Sequence, residues 1–160
     1  MLLQDTGQIT EQSVGGEHGL RRVLVGFDGT DGAWVALHQA IAVAVGNDAR
    51  LTIAAVAQMP RCLFGYPGTM TMPYSYDGLR REVEGEMRRH LAEARDEVPA
   101  TVRVDTVLLR GRPARELARF AEQGGYDLLV TGPRPRHRFS RSVTHALLSR
   151  SRVSVLAVKA

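Results

Sequence analysis

A turn that combines an acid, a glycine and a hydroxyl follows the first apolar segment of the chain. RRVLVGF spans residues 21–27, and Asp28, Gly29 and Thr30 come directly after it. At the carboxyl end of a strand, a carboxylate can accept hydrogen bonds from a ribose hydroxyl or a base amino group, and the amides of a helix that follows attract anions. An aspartate in a plain turn bonds nearby backbone amides instead. Residue type leaves both roles open for Asp28, and its position in the fold must decide between them.

A second group of candidate ligand-binding residues lies in the segment TGPRPRHRFSRSVTH. Gly132 permits a close approach of the backbone to a ligand, and Ser142 is placed either to cap a helix or to donate its hydroxyl to a phosphate. Two prolines between them lack amide donors. Arg136 and Arg138 offer guanidinium forks, which bind phosphate or carboxylate through paired hydrogen bonds. The segment therefore fits either an anion site built from side chains or a solvated basic surface.

Composition places the chain among ordinary globular proteins. The 160 residues are 44% hydrophobic and 24% charged, which suits a single domain with its own core. The net charge of +4 is concentrated in one stretch, and such a local cluster favours a small anion or an acidic partner over nucleic acid. The cluster comprises Arg134, Arg136, Arg138, Arg141, Arg150 and Arg152, with His137 and His145. The single cysteine, Cys62, excludes an internal disulfide and a cysteine-based zinc site.

The beginning of the chain differs from the rest. Residues 1–20 are polar and show no sustained periodicity, so we expect a flexible N-terminal tail before a domain over 21–160. The tail lacks the basic end and apolar block of a secretory signal, and no apolar run reaches the roughly 18 residues that a membrane span needs. We therefore predict a cytoplasmic protein with no membrane partner.

Apolar strand segments alternate with helical patterns along the domain. The predicted strands are 21–27, 50–57, 101–109, 126–132 and 153–158. This alternation predicts an α/β fold with a parallel, doubly wound sheet and helices on both faces. If the sheet reverses direction between its first and fourth strands, the strand order is 3-2-1-4-5. The third strand, whose apolar residues alternate with polar ones, then lies on an edge, and the loops after strands one and four meet in one crevice.

Two of the predicted helices have patterns that the structure can test. In the first helix, Trp34, Leu37, Ile41, Ala44 and Val45 recur at helical spacing and should face the core. In the second, over about 79–98, Glu84 and Arg88 are spaced to form an ion pair, which we place on the solvent side.

The last predicted strand forms the other edge of the sheet, and it carries no charge before Lys159. An apolar, unprotected edge invites pairing with another strand. We predict a homodimer in which the final strands, 153–158, pair across a two-fold axis. The alternative is that the N-terminal tail covers this edge.

From about residue 21 to its end, the chain resembles the universal stress protein family. VLVGFDGT is similar to the family's first strand with its nucleotide-facing aspartate. GRPARELARFAEQGGYDLLVTG is similar to its third helix and fourth strand, and SVTHALLSRSRVSVLAV to its closing helix and dimer-forming strand. The resemblance implies the fold of the adenine nucleotide alpha hydrolases and, as a possible cofactor, ATP or another adenine nucleotide. It also implies that Asp28 faces the ribose region and that Val56 offers backbone hydrogen bonds to the base.

The chain departs from the family at the phosphate end of this implied site. The family signature is glycine, two residues, glycine, nine residues, glycine, then serine or threonine. Carried over, it begins at Gly132 and ends at Ser142, beside Val143, but Pro135 and Arg141 stand at the other two glycine positions. Only five residues separate those two, so the loop is shorter by four. The base end is kept and the phosphate end is altered.

Two functions follow from this pattern. The first is a dimeric stress-response regulator that does not bind ATP in the family manner and acts through an unidentified protein partner. The alternative is an adenine-nucleotide-binding regulator in which Arg136 and Arg138 replace the missing amides. We expect no enzyme activity, because the sequence shows no paired carboxylates, cysteine–histidine set or metal-ligand spacing. Nucleic-acid binding is not expected either.

Overall fold

The computed structural model describes residues 19–59, 76–132 and 143–159. These residues form five strands and four helices in strict alternation. In chain order they are β1 (Arg22–Gly26), α1 (Asp31–Asn47), β2 (Arg50–Ala57), α2 (Tyr76–Asp96), β3 (Val104–Arg110), α3 (Pro113–Gln123), β4 (Leu128–Thr131), α4 (Val143–Arg150) and β5 (Ser154–Ala157).

The strands form one parallel sheet in the order β3-β2-β1-β4-β5, which confirms the predicted order. β1 pairs with β2 on one side and with β4 on the other. The chain adds β2 and β3 on one side of β1, and then β4 and β5 on the other side. The carboxyl end of β1 is therefore the point where the strand order reverses. A crevice forms at that point, between the ends of the central strands.

Helices cover both faces of the sheet, and each face has its own hydrophobic core. α1 and α2 cover one face, where their alanines and leucines pack on inward residues such as Val23, Val25 and Ile53. α3 and α4 cover the other face, where Leu117 and Leu147 pack against Leu24 and Leu129. Strands buried on both faces explain the continuous apolar runs of β1 and β2.

The ends of α1 are fixed by local chemistry. Thr30 is its N-cap, and the Thr30 hydroxyl accepts a hydrogen bond from the Ala33 amide at 3.3 Å. Asp48 ends the helix in the left-handed conformation, with φ 50°. The predicted inner face was wrong at one position, because Val45 is 57% exposed. Ala44, the residue before it in the same turn, is 1% exposed, so the core-facing side of the helix passes through Ala44 and Val45 faces solvent.

The prediction that Glu84 lies on the solvent side of α2 was also wrong. Glu84 is only 7% exposed, although it does pair with Arg88 at 3.2 Å as expected. The reason is a second partner, since Arg110 at the end of β3 holds the carboxylate at 2.7 Å and draws it against the sheet. The contact between Arg110 and Glu84 therefore outweighs the polar pattern of α2, which predicted a solvent-exposed Glu84.

The two edge strands are shifted or shortened relative to the sequence prediction. β3 begins at Val104 rather than at residue 101, because the chain makes a turn in which the Val102 amide donates to the Pro99 carbonyl. Val102 is still buried. β5 begins at Ser154, because the Val153 amide is taken by the Ser151 hydroxyl.

Candidate functional site

A cavity lies at the reversal point of the sheet, between the carboxyl ends of β1, β2 and β4 and the first turns of α1, α3 and α4. Five of the residues singled out in the sequence line it, namely Asp28, Thr30, Val56, Gly132 and Val143. The remainder of the wall is mostly apolar and comprises Gly26, Phe27, Ala33, Ala54, Pro113, Leu117 and Thr131. A mostly apolar lining with a few convergent polar groups is typical of small-molecule sites. The volume of this cavity is about 50 Å³, below the roughly 300–1,000 Å³ of such sites.

The turn after β1 is held by a short relay of hydrogen bonds. The Asp28 carboxylate accepts bonds from the Thr30 amide at 3.2 Å and from the Thr30 hydroxyl at 2.7 Å. Thr30 in turn caps α1, so Asp28 is fixed relative to the start of the helix. Asp28 therefore does make the plain turn contact that the sequence allowed, and it makes this contact while it lines the cavity.

Gly29 gives this turn its shape without lining the cavity. Its φ is +78°, a value that side chains other than glycine rarely adopt. The imidazole of His90, on α2, packs on the same residue so closely that a Cβ at Gly29 would lie 2.6 Å from His90 Nδ1. His90 Nδ1 is buried and has no hydrogen-bond partner among the described residues. The packing of His90 on Gly29 therefore fixes the position of the turn that carries Asp28 relative to α2.

The backbone contact between Gly132 and Gly32 closes the base of the cavity. A Cβ built on Gly132 would lie 1.9 Å from the Gly32 carbonyl oxygen and 2.5 Å from its carbon. No side chain fits between the end of β4 and the first turn of α1. Gly132 is therefore required by the fold itself, and its presence is not by itself a sign of a phosphate nearby.

The carbonyl of Val56 faces the cavity by the alternation of the strand. The Phe27 amide donates to the Ala54 carbonyl at 2.8 Å, and carbonyls two residues apart along a strand point the same way. Beyond Phe27 the chain leaves β2 for the Asp28 turn, so Val56 reaches past the last backbone pairing with β1. A polar edge of a planar ligand can hydrogen-bond there.

The opposite wall is formed by α3 and α4. Leu117 of α3 fills the space above Gly26, where an added Cβ would come within 2.9 Å of the Leu117 Cδ1. On α4, the Thr144 hydroxyl donates to the Gly132 carbonyl at 3.2 Å and lies 3.3 Å from the Thr131 hydroxyl. These bonds fix the start of α4 and hence Val143 against the mouth of the cavity.

Not every candidate residue falls within the described structure. Arg136, Arg138 and Ser142 lie outside the described residues, as does Cys62. The altered phosphate segment therefore stays a prediction from sequence.

Sequence reasoning missed the residues that shape the cavity from a distance. For Gly32 the sequence held one indication of its role. A glycine inside the first turn of a helix lowers helix stability, and its presence there indicates a close approach by another backbone. The sequence held no indication of the roles of His90 and Leu117, since helical spacing alone does not tell which residues face a particular loop.

The described ranges contain no group of three or more histidine, cysteine, aspartate or glutamate side chains suited to hold a metal ion. Within the same ranges, no helix has both the length and the apolar character to cross a membrane.

The sheet order and the cavity at its reversal define a doubly wound α/β protein of the adenine nucleotide alpha hydrolase-like class. Residues 19–159 match the model of the universal stress protein family, and the chain belongs to that family. Universal stress protein YxiE of Bacillus subtilis (strain 168) is 28% identical over 145 residues, which cover 86% of this chain and 98% of that protein.

Solved structures agree with this assignment. A universal stress protein family structure from Burkholderia pseudomallei is 29% identical, with a TM-score of 0.70 over 91% of this chain and 99% of that one. A universal stress protein in complex with cAMP is 25% identical, with a TM-score of 0.65 over 88% of this chain and 97% of that one.

Proposed function

We propose that the protein is a regulatory domain that binds the adenosine part of a nucleotide in the cavity at the end of β1. The observation that carries this proposal is the convergence of Asp28, Thr30, Val56, Gly132 and Val143 on one mostly apolar slot. These residues come from four separate segments of the chain, so their convergence is a property of the fold.

The proposed contacts divide between the ends of the cavity. A carboxylate oxygen has room for more than one hydrogen bond, so Asp28 can accept from a ribose hydroxyl while it holds Thr30. The adenine lies between Val56 and Leu117, with its polar edge against the Val56 backbone. The 25% identical relative was solved in complex with cAMP, which supports an adenine ring in a cavity of this kind.

In this proposal the phosphate end of the site differs from that of the family, because side chains replace backbone amides as the phosphate ligands. Pro135 and Arg141 stand where the family signature has glycine, so a cradle of backbone amides is not available there. Arg136 and Arg138 compensate, since hydrogen bonds to charged groups contribute about 1.5–3 kcal/mol each against about 1 for neutral ones. Nucleotide affinity should then depend steeply on salt.

The altered signature also favours a second candidate function. If Arg141 fills the space that phosphate needs, the protein is a dimeric stress-response regulator without family-type ATP binding, and it acts by contact with a protein partner. In both versions the domain is a regulator rather than an enzyme, and the cell compartment is the cytoplasm.

Dimerisation through β5 is part of both versions. β5 pairs with β4 on one side and has no strand on its other side among the described residues. Val155 and Leu156 are only partly buried there. A second copy of the strand would complete their burial and pair the open edge.

Calorimetric titration with AMP, ATP and cAMP tests the proposal. We expect saturable binding of AMP that weakens about tenfold or more in Asp28→Asn, because one charge-assisted hydrogen bond is lost. Asp31→Asn is the matched control, since Asp31 begins α1 but does not line the cavity. Replacing Arg136 and Arg138 by alanine should lower ATP affinity more than adenosine affinity. The absence of heat with every nucleotide at millimolar concentration would leave the second candidate function.

A further inference from the structure

A second groove lies on the other side of β2, at the carboxyl ends of β2 and β3. It is lined by Ala57, Gln58, Met59, Arg80, Glu84, Arg110, Gly111 and Arg112. Three of these side chains are arginines and one is a carboxylate. The groove shares none of its lining residues with the cavity around Asp28. It is therefore a separate feature that the proposed nucleotide site does not use.

The buried carboxylate of Glu84 fixes one of the arginines. It accepts hydrogen bonds from Arg110 Nε at 2.7 Å and from Arg110 Nη2 at 3.1 Å, and a third from Arg88 Nη2 at 3.2 Å. The side chain of Glu84 is 9% exposed, so these bonds form away from bulk water. The Arg110 hydrogen bonds hold the pKa of Glu84 below its ordinary value, which keeps the carboxylate charged. Arg110 is thereby held in one orientation at the edge of the sheet.

Within the described ranges, several guanidinium donors of the arginines that line the groove have no protein acceptor. Arg110 uses only Nε and Nη2 on Glu84, so its Nη1 donors remain, and the side chain is 64% exposed. The side chain of Arg112 makes no ion pair or hydrogen bond with the described residues, and it supplies no cap to α3. Among the described residues, Arg80 forms an ion pair with the exposed Asp77 at 3.5 Å, a contact of low energy that an anion can replace. Arg80 also contributes, less than Arg110 and Arg88, to the lowered pKa of Glu84.

The charge balance of the groove favours a multiply charged anion. Glu84 already accepts three hydrogen bonds from two arginines, so its charge is matched within the protein. Among the described residues, the remaining donors of Arg110, Arg112 and Arg80 have no acceptor comparable to Glu84. Guanidinium groups bind tetrahedral phosphate oxygens through paired hydrogen bonds, and several guanidiniums on one anion favour two or more negative charges.

We propose that this groove is a second anion site that takes the phosphate group of a small phosphorylated molecule. Arg110 and Arg112 hold the phosphate, Arg80 contacts it from the rim, and Glu84 is the positioning residue that orients Arg110. The site is independent of the nucleotide cavity, and it does not use the arginine-rich segment 133–142.

Titration of the full chain with inorganic pyrophosphate, followed by calorimetry and by thermal unfolding, tests this site. We expect saturable binding that weakens about tenfold or more in Arg112→Ala and is partly kept in Arg112→Lys. Arg103→Ala is the matched control, because Arg103, like Arg112, is an exposed arginine, and it lies at the opposite end of the sheet. It should leave the affinity unchanged.

Two further variants separate this site from its neighbours. Arg136 and Arg138 bind phosphate in the proposed function, so the titration is repeated in the variant with both replaced by alanine, which should still bind pyrophosphate saturably. Asp28→Asn should leave the affinity within about twofold of the wild type, a small change beside the roughly tenfold loss of one charge-assisted bond. Failure of AMP to bind would contradict the proposed nucleotide function, and it would leave the evidence for pyrophosphate binding in the second groove unchanged. Three outcomes would overturn the second site: no saturable binding, equal affinity in wild type and Arg112→Ala, or loss of binding in the Arg136 and Arg138 double variant.

Discussion

Gly132 illustrates how one residue can satisfy a sequence signature for a reason other than ligand binding. It stands at the first glycine of the family's nucleotide signature, yet its Cα faces the Gly32 backbone with no room for a methyl group. The fold needs this glycine whether or not a phosphate is bound. The contacts of Asp28 with Thr30 and of His90 with Gly29 have the same character, since each builds the cavity before any ligand enters.

Gly132→Ala should destabilise the protein by about 1–3 kcal/mol or more, because two backbone segments must separate to admit the Cβ. Urea unfolding monitored by circular dichroism measures the change. Gly85→Ala is the matched control. Gly85 lies inside α2, and nothing lies within 4 Å of a Cβ added there. The free energy of unfolding of the Gly85→Ala variant should therefore rise by about 0.5–1 kcal/mol. Equal stability of Gly132→Ala and wild type would contradict the packing role of Gly132.

At the scale of elements, α2 is joined to the edge strand β3 by a buried ionic contact. Glu84 lies in the middle of α2, and Arg110 is the last residue of β3. Without this contact the polar helix would bury only its apolar stripe against the sheet. The contact also places Arg110 at the groove, so the same pair serves both stability and the proposed anion site.

Glu84→Gln should lower the free energy of unfolding at neutral pH and lose its effect in acid. The pKa of Glu84 is lowered in the folded protein, mainly by its hydrogen bonds to Arg110. A lowered folded pKa stabilises the fold above the unfolded pKa of about 4.3, and this contribution disappears as pH falls through the folded pKa.

Urea unfolding of wild type and Glu84→Gln from pH 7 to pH 3 measures this difference. Glu93→Gln, at an exposed position of the same helix, measures the general effect of removing a negative charge. A gap between wild type and Glu84→Gln that stays constant down to pH 3 would show that the ionic contact does not stabilise the fold.

The elements were largely predictable because their signals are local. Continuous apolar runs and the alternating third strand lie within short windows, and together they predicted the strand order and hence the position of Asp28. The burial of Glu84 and the packing of His90 on Gly29 were not predictable. Each depends on a partner far away in the chain, and the polar pattern of α2 favoured solvent for Glu84.

At the scale of the whole molecule, β5 has a free edge among the described residues, and this edge is where we propose that a second copy of the chain pairs. The Val158 amide donates to the Thr131 carbonyl on β4, so the amides of residues 154 and 156 face β4 and those of 155 and 157 face outward. The outward amides are the groups that a second copy of β5 would pair with. Ala157 is exposed, so its side chain makes no core contact that a test would disturb.

Ala157→Pro should convert a dimer into a folded monomer. Proline removes an outward amide donor while the bonds from β5 to β4 remain, and prolines are tolerated on edge strands. Light scattering coupled to size-exclusion chromatography measures the mass, and circular dichroism verifies the fold. Ala157→Thr keeps the donor and should stay dimeric. A wild-type monomer, or a proline variant that remains dimeric, would contradict pairing through β5.

The measurement that tests the central claim most directly is a two-dimensional NMR titration of the labelled protein with AMP. We predict the largest amide shifts at Asp28, Thr30, Val56 and Gly132, around the reversal point of the sheet, with smaller shifts along α2 and at Arg103. Shifts that spread evenly over the basic surface, or an unchanged spectrum at millimolar AMP, would contradict an adenosine site at the end of β1.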